Sequence, residues 1–185
     1  NIGQVYENTF QFERAVDFYE QSLDIVEDLG EKEEEAVIHE KIGNIHLEQN
    51  NLGKAIESYE KSLEIDKELD REDNVAATLN NIGSVYYNLG KFDDAKDYYE
   101  QSLDVTKKIG DKKQISIALN NIGNISYDGN KFKKAIGYYK QSIEIKEDID
   151  YKRGVAASLH NIGNAYKGLR DYNQALDYYK RSNNV

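Results

Sequence analysis

Apolar residues return along this chain in steps of four and three. Near the middle they fall at Val75, Leu79, Ile82, Tyr86 and Leu89, a spacing that draws one face of an α-helix. The stripe predicts a first helix, A, over 73–89. After Gly90 and Lys91 a second stripe runs through Phe92, Ala95, Tyr99, Ser102, Thr106 and Ile109. Flanked by Tyr98, Leu103 and Val105, it predicts a second helix, B, of about seventeen residues with a broader apolar face. The pair then repeats. Asn81-Ile82-Gly83 returns as Asn1-Ile2-Gly3, Asn121-Ile122-Gly123 and Asn161-Ile162-Gly163, with Lys41-Ile42-Gly43 in the second copy, forty residues apart each time. A fixed period in this range marks an array in which each unit buries its apolar face against its neighbours.

A glycine inside a helix costs about 1 kcal/mol relative to alanine. Five of them at one register (Gly3, Gly43, Gly83, Gly123, Gly163) therefore call for a packing reason, and close approach of the two helices supplies one. Helix B carries Ala15, Ala55, Ala95, Ala135 and Ala175 at the same period, each a single methyl to set against the missing side chain. Tyr19, Tyr59, Tyr99, Tyr139 and Tyr179 follow as large plates beside the crossing. The A/B hairpin is expected to be fixed by these three residue types together.

An Ile-Gly pair, an aromatic shortly after it, then an alanine and an aromatic four residues later resembles the tetratricopeptide repeat, over the whole chain. Within that family the forty-residue period is similar to the longer-repeat subclass, in which both helices gain about a turn. The resemblance implies an all-α fold: a right-handed α-solenoid of stacked antiparallel hairpins, about 4.5 units long. Its units would be a partial first repeat over 1–30, then 31–70, 71–110, 111–150 and 151–185. Two features depart from the family. Proline after helix B is absent, so helix B can run on to Leu29, Leu69, Ile109 and Ile149, and the usual helix-B alanine is replaced by Ser22, Ser62, Ser102, Ser142 and Ser182. Serine remains small enough for close packing.

Composition narrows the function. The 185 residues contain no proline, cysteine, methionine or tryptophan, which removes disulfides, thiol nucleophiles and cysteine-metal sites. No apolar run approaches a membrane span and the start does not read as a signal peptide. A soluble, cytoplasmic protein without membrane contact is the expectation. With no initiator methionine, the ends are expected to be cut from something longer. The net charge of -10 is uneven: residues 1–70 hold 6 basic and 19 acidic side chains, a net of −13, whereas 71–185 hold 18 and 15, a net of +3. A nucleic acid partner is disfavoured, because phosphate binding needs a basic stripe. A protein or peptide partner with basic residues suits the acidic end.

At the crossovers Gly30, Asp70, Gly110 and Asp150 hold equivalent places, which suits a left-handed residue past a helix end. Asn50, Gly90 and Asn130 offer the same inside the hairpins, while Phe10 and Arg170 break that pattern and imply a different turn. The run Glu31–Glu35, interrupted only by Lys32, reads either as a helix N-terminus favoured by negative charge or as a cation or basic-peptide site. The last helix fades at Asn183, where earlier copies carry Leu23, Leu63, Leu103 and Ile143. That polar residue fits a cap or a truncation, and a half-exposed final repeat offers a surface for self-association.

No residue pattern points to catalysis. His39 and His46 lie two turns apart, roughly 10 Å, too far to share a metal, and stand where the next copy has Leu79 and Tyr86; packing is the reading. The carboxylates scatter over solvated faces, and no Gly-rich phosphate loop follows a strand. Neither a metal nor a cofactor is expected.

The informative polar feature is the other side of helix A. It reads Ala77, Asn80, Asn81, Ser84, Tyr87 and Asn88 in the third copy; Ile117, Asn120, Asn121, Asn124, Tyr127 and Asp128 in the fourth; Ala157, His160, Asn161, Asn164, Lys167 and Gly168 in the fifth. Asparagine is a poor helix former, so its return needs another cause. In a solenoid the A helices line the inner wall, where a ladder of amides suits the backbone of an extended peptide. The resemblance implies that role for Asn44, Asn81, Asn121, Asn124, Asn161 and Asn164, with Tyr87 and Tyr127 adding apolar contact. Recent duplication, or ties between neighbouring helices, would also keep these residues. The second copy is charged here (Glu40, Lys41, Asn44, Leu47, Glu48) and lacks the Lys/Arg clamp by which some family members hold a carboxylate end. An internal peptide segment is therefore expected. Two functions stay open: a non-catalytic module gripping an extended peptide or a partner helix, and a ligand-sensing or autoinhibitory segment of a larger kinase, cyclase or transcription regulator.

Overall fold

The computed structural model describes residues 2–185; Asn1, the first member of the recurring triplet, lies outside the described residues. These residues form ten helices and no strand: α1 (Ile2–Asn8), α2 (Phe12–Leu29), α3 (Lys32–Glu48), α4 (Leu52–Glu68), α5 (Glu72–Asn88), α6 (Phe92–Ile109), α7 (Lys112–Asp128), α8 (Phe132–Asp148), α9 (Lys152–Gly168) and α10 (Tyr172–Asn183). The forty-residue period thus resolves into an A helix and a B helix per copy.

The chain divides into two compact units, 1–91 and 92–185. In the first, α1 pairs with α2 and α3 with α4 as hairpins, α2 packs on α3, and α4 on α5. In the second, α6 packs on α7, α7 and α8 form a hairpin, α8 packs on α9, and α9 pairs with α10. Each core straddles a hairpin and the next A helix. Ala15 and Tyr19 of α2 cluster with Ile38, Ile42 and Ile45 of α3, and Tyr139 and Ile143 of α8 cluster with Val155, Leu159 and Ile162 of α9. This is the stacked-hairpin, all-α architecture, with its core distributed along the chain rather than gathered at a centre.

The turns share one construction. In the α3–α4 turn Asn50 takes φ 58, its N–H bonds to the Leu47 carbonyl at 3.0 Å, and the Asn51 N–H reaches the His46 carbonyl at 2.8 Å. This paired closure caps the last helical carbonyls. The same pairs occur after Gly30, Asp70, Gly90, Asn130 and Asp150, all at positive φ. Phe10 and Arg170 do not introduce a different turn, as their sequence implied. They adopt φ 57 and 62 and close the same bonds, Gln11 to Tyr6 and Asp171 to Tyr166. Two ordinary side chains therefore carry a steric cost that glycine or asparagine avoids.

The glycine register also differs from expectation in its partner. A Cβ placed on Gly3, Gly43, Gly123 or Gly163 would meet the ring of Tyr19, Tyr59, Tyr139 or Tyr179 at 2.9, 2.7, 2.6 and 2.5 Å. The alanines are buried alongside, but the tyrosine ring, not the alanine methyl, fills the space. A planar ring lies flat on bare backbone, where a methyl would leave a gap and any side chain on helix A would collide. The helix-B serines do more than stay small. Ser142 Oγ donates to the Ser116 carbonyl at 2.6 Å and Ser182 Oγ to the Ala156 carbonyl at 2.8 Å. Each fastens helix B to the first half of its own helix A.

Candidate functional site

The tyrosine that covers each glycine determines what the neighbouring asparagine can do. Its hydroxyl overshoots the glycine and reaches the next residue on helix A. Tyr59 donates to Asn44 Oδ1 at 2.6 Å, Tyr139 to Asn124 Oδ1 at 2.9 Å and Tyr179 to Asn164 Oδ1 at 2.7 Å. In α1 the acceptor is instead Glu7, whose carboxylate takes the Tyr19 hydroxyl at 2.8 Å. Burial, together with that carboxylate, drives the Tyr19 phenol well above its ordinary range. Burial does the same for Tyr59, with Glu40 and Glu48 adding to it.

The asparagines are therefore not amides with every hydrogen-bonding group on offer. A planar amide whose oxygen is held against helix B keeps its N–H donors for other partners. Asn120 is held likewise, its Oδ1 accepting from Ser158 Oγ on α9 at 2.9 Å. Asn161 Nδ2 approaches Asn124 Oδ1 at 3.4 Å. These last two contacts join α7 to α9, so ties between neighbouring A helices are part of what the asparagines do.

Within the first unit, Asn80, Asn81, Ser84 and Tyr87 are half-buried on α5 and Asn88 is exposed. Ser84 Oγ turns back to the Asn80 carbonyl at 3.0 Å. Val37 and Lys41, at the registers of Ala77 and Asn81, line a depression of about 510 Å³ with Ile25, Val26, Glu33 and Arg71. Its floor is aliphatic and its rim charged, and Arg71 lies 4.0 Å from Glu33. Glu40 is half-buried, and burial pushes its carboxyl up. In the second unit, Asn120, Asn121, Asn124 and Tyr127 are half-buried on α7, and Tyr127 meets Phe132 edge-on at 5.4 Å. On α9, Asn161 and Asn164 are half-buried, while His160 is exposed with its ring 5.1 Å from that of Tyr179.

His39 and His46 are buried, as their registers predicted, at 7% and 9% exposure. The acidic run Glu31–Glu35 begins α3, with Glu31 at the N-cap position and Glu33, Glu34 and Glu35 in the first turn, where negative charge favours the helix. A feature invisible to pattern reading is Lys146 on α8. It is 4% exposed, donates to Ser158 Oγ at 2.8 Å, and burial lowers its amine to about 8. Its register carries Val26, Asp66 and Thr106 in the other copies. Among the described residues no helix is long and apolar enough to cross a membrane.

A tetratricopeptide repeat model matches residues 1–68 and 74–148, and a second model of the same description matches 155–182. Comparison with curated protein sequences returned no match. Among solved structures, BtubC from P. vanneervenii superposes with a TM-score of 0.88 at 21% identity, over 98% of this chain and 76% of that one. TPR-like repeats from Podosopora anserina, described as a kinesin light chain, give 0.79 at 15% over 98% and 90%. A Rap protein complexed with competence and sporulation factor gives 0.81 at 17%, and there this chain spans 50% of the other.

Proposed function

The chain belongs to the tetratricopeptide repeat family, and on that premise we propose that it is a non-catalytic protein-interaction module that holds an extended polypeptide segment along its A helices. One observation carries the reading. Asn44, Asn124 and Asn164 have their carbonyl oxygens fixed by Tyr59, Tyr139 and Tyr179, so their N–H donors are oriented by the fold before any ligand arrives. Within each unit, donors oriented in advance suit the backbone carbonyls of an extended chain whatever its side chains are. In the first unit Asn80, Asn81, Ser84, Tyr87 and Asn88 of α5 extend this face, and in the second Asn120, Asn121 and Tyr127 of α7 with His160 and Asn161 of α9 do the same. The acidic first seventy residues favour a segment with basic side chains at that end.

The test is binding of a displayed library of extended peptides to the chain and to Asn81→Ala/Asn121→Ala. A drop of roughly tenfold in affinity, with unchanged circular dichroism, is expected for loss of two peptide hydrogen bonds. Equal affinity would remove the face from the proposal. Selection of acidic or carboxy-terminal peptides alone would remove the charge argument.

A second reading, a sensing segment within a larger regulator, is favoured by the likeness to the Rap complex, of which this chain covers half. A flanking output domain whose activity changes when peptide binds would support it. Further repeats alone would support the scaffold.

A further inference from the structure

The second copy departs from its siblings at two inward places of helix A. Glu35 stands where the later copies have Val75, Ile115 and Val155, and His39 where they have Leu79, Leu119 and Leu159. The two are one helical turn apart on α3 and so share a face. Packed against them, α2 contributes Glu27. One oxygen of each carboxylate and one nitrogen of the imidazole lie within 4.8 Å of one another, the one such group of three among the described residues.

His39 makes this more than an acidic patch. It is 7% exposed, lines a cavity of about 330 Å³ together with Glu27 and Glu35, and its ring makes no hydrogen bond among the described residues. Glu64 and Glu68 also face the cavity, as do Lys32 and Lys61. Lys32 is tied to Glu68 and Lys61 lies toward Glu57 at 3.9 Å. Four carboxylates against two ammonium groups leave −2, the charge a dication offsets.

We propose that Glu27, Glu35 and His39 bind one divalent transition-metal ion of the zinc class, clamping α2 to α3 at the junction of the first two repeats. One imidazole with two carboxylates is a borderline donor set, which suits zinc better than calcium or magnesium with their all-oxygen preference. Ligand atoms around tetrahedral zinc stand about 3.3 Å apart, given zinc–ligand distances near 2.0 Å. Rotation of two glutamate side chains closes the remaining gap, and water supplies the fourth ligand.

The experiment is calorimetric and thermal titration of the chelator-stripped chain with zinc chloride, and in parallel with magnesium and calcium chloride. Zinc should bind at one equivalent and raise the melting temperature by on the order of 5 °C at a hundredfold excess over Kd. His39→Leu installs the residue its siblings carry, so it should fold and should lose affinity by more than about tenfold. Glu27→Gln and Glu35→Gln, which keep side-chain shape, should each weaken zinc in the same way. They decide the matter should His39→Leu unfold. Absence of zinc binding, undiminished binding in these variants, or magnesium or calcium binding as tightly as zinc would each overturn the site.

Discussion

Lys146→Met should stabilise this protein, and by an amount that depends on pH in a defined way. The amine is sealed in the α7–α8–α9 core with one hydrogen bond, to Ser158 Oγ, and burial takes it from 10.5 to about 8. At about 1.36 kcal/mol per unit, keeping it charged in the folded state costs about 3 kcal/mol at pH 7. The sign follows from proton counting. Above about pH 10.5 the amine is neutral folded or unfolded, and no penalty exists. As pH falls toward about 8 the unfolded chain takes up a proton that the folded one does not, so stability declines. Below about 8 both states are charged and the penalty is constant. Methionine has similar length and carries no charge, and Ser158 keeps its donation to Asn120. Urea unfolding of both proteins should therefore show the variant ahead by about 3 kcal/mol at pH 7 and by only about 1 kcal/mol at pH 10. Taking the difference cancels the titration of every other group. A variant less stable at pH 7, or a gap that does not narrow with pH, would refute the reasoning.

Three further substitutions test the hairpins and their turns. Gly123→Ala sets a Cβ 2.6 Å from the Tyr139 ring and should cost about 2 kcal/mol, whereas Gly137→Ala on α8 meets nothing within 4 Å and should gain about 1 kcal/mol; both are read by urea midpoint. Arg170→Gly relieves a side chain at φ 62 and should raise stability by about 1 kcal/mol, seen as a higher melting temperature.

The helices were legible because each needed only a periodic stripe. The stripe predicts 73–89 for the third A helix, and α5 runs Glu72–Asn88. The left-handed residues at Gly30, Asp70, Asn50 and Asn130 were legible for the same reason, each being a residue type that tolerates positive φ. Phe10 and Arg170 were not. There the backbone path is set by the stacking of the flanking helices, and the side chain conforms to it. The glycine register announced a close approach, but the choice between alanine and tyrosine as its occupant turns on a rotamer, which spacing does not encode. The asparagine face could be located, while the commitment of its oxygens depends on where a hydroxyl 15 residues away ends up. Glu27, Glu35 and His39 come from two helices, and only their packing brings them within reach.

The register that holds Val26, Asp66, Thr106 and Lys146 in successive copies, buried in the last three, has a further consequence. Units this alike could mate with the wrong sibling, one period out of step or across two molecules. At these junctions the occupants differ in kind: Asp66 pairs with Arg71 at 3.5 Å and Lys146 with Ser158. A mismatched junction would leave Lys146 without its one hydrogen-bond acceptor, or Asp66 without the groups that pair with it, at about 1–3 kcal/mol for each buried polar group left unpaired. What looks like an imperfection in the repeat thus works as an address, telling each hairpin which neighbour is its own.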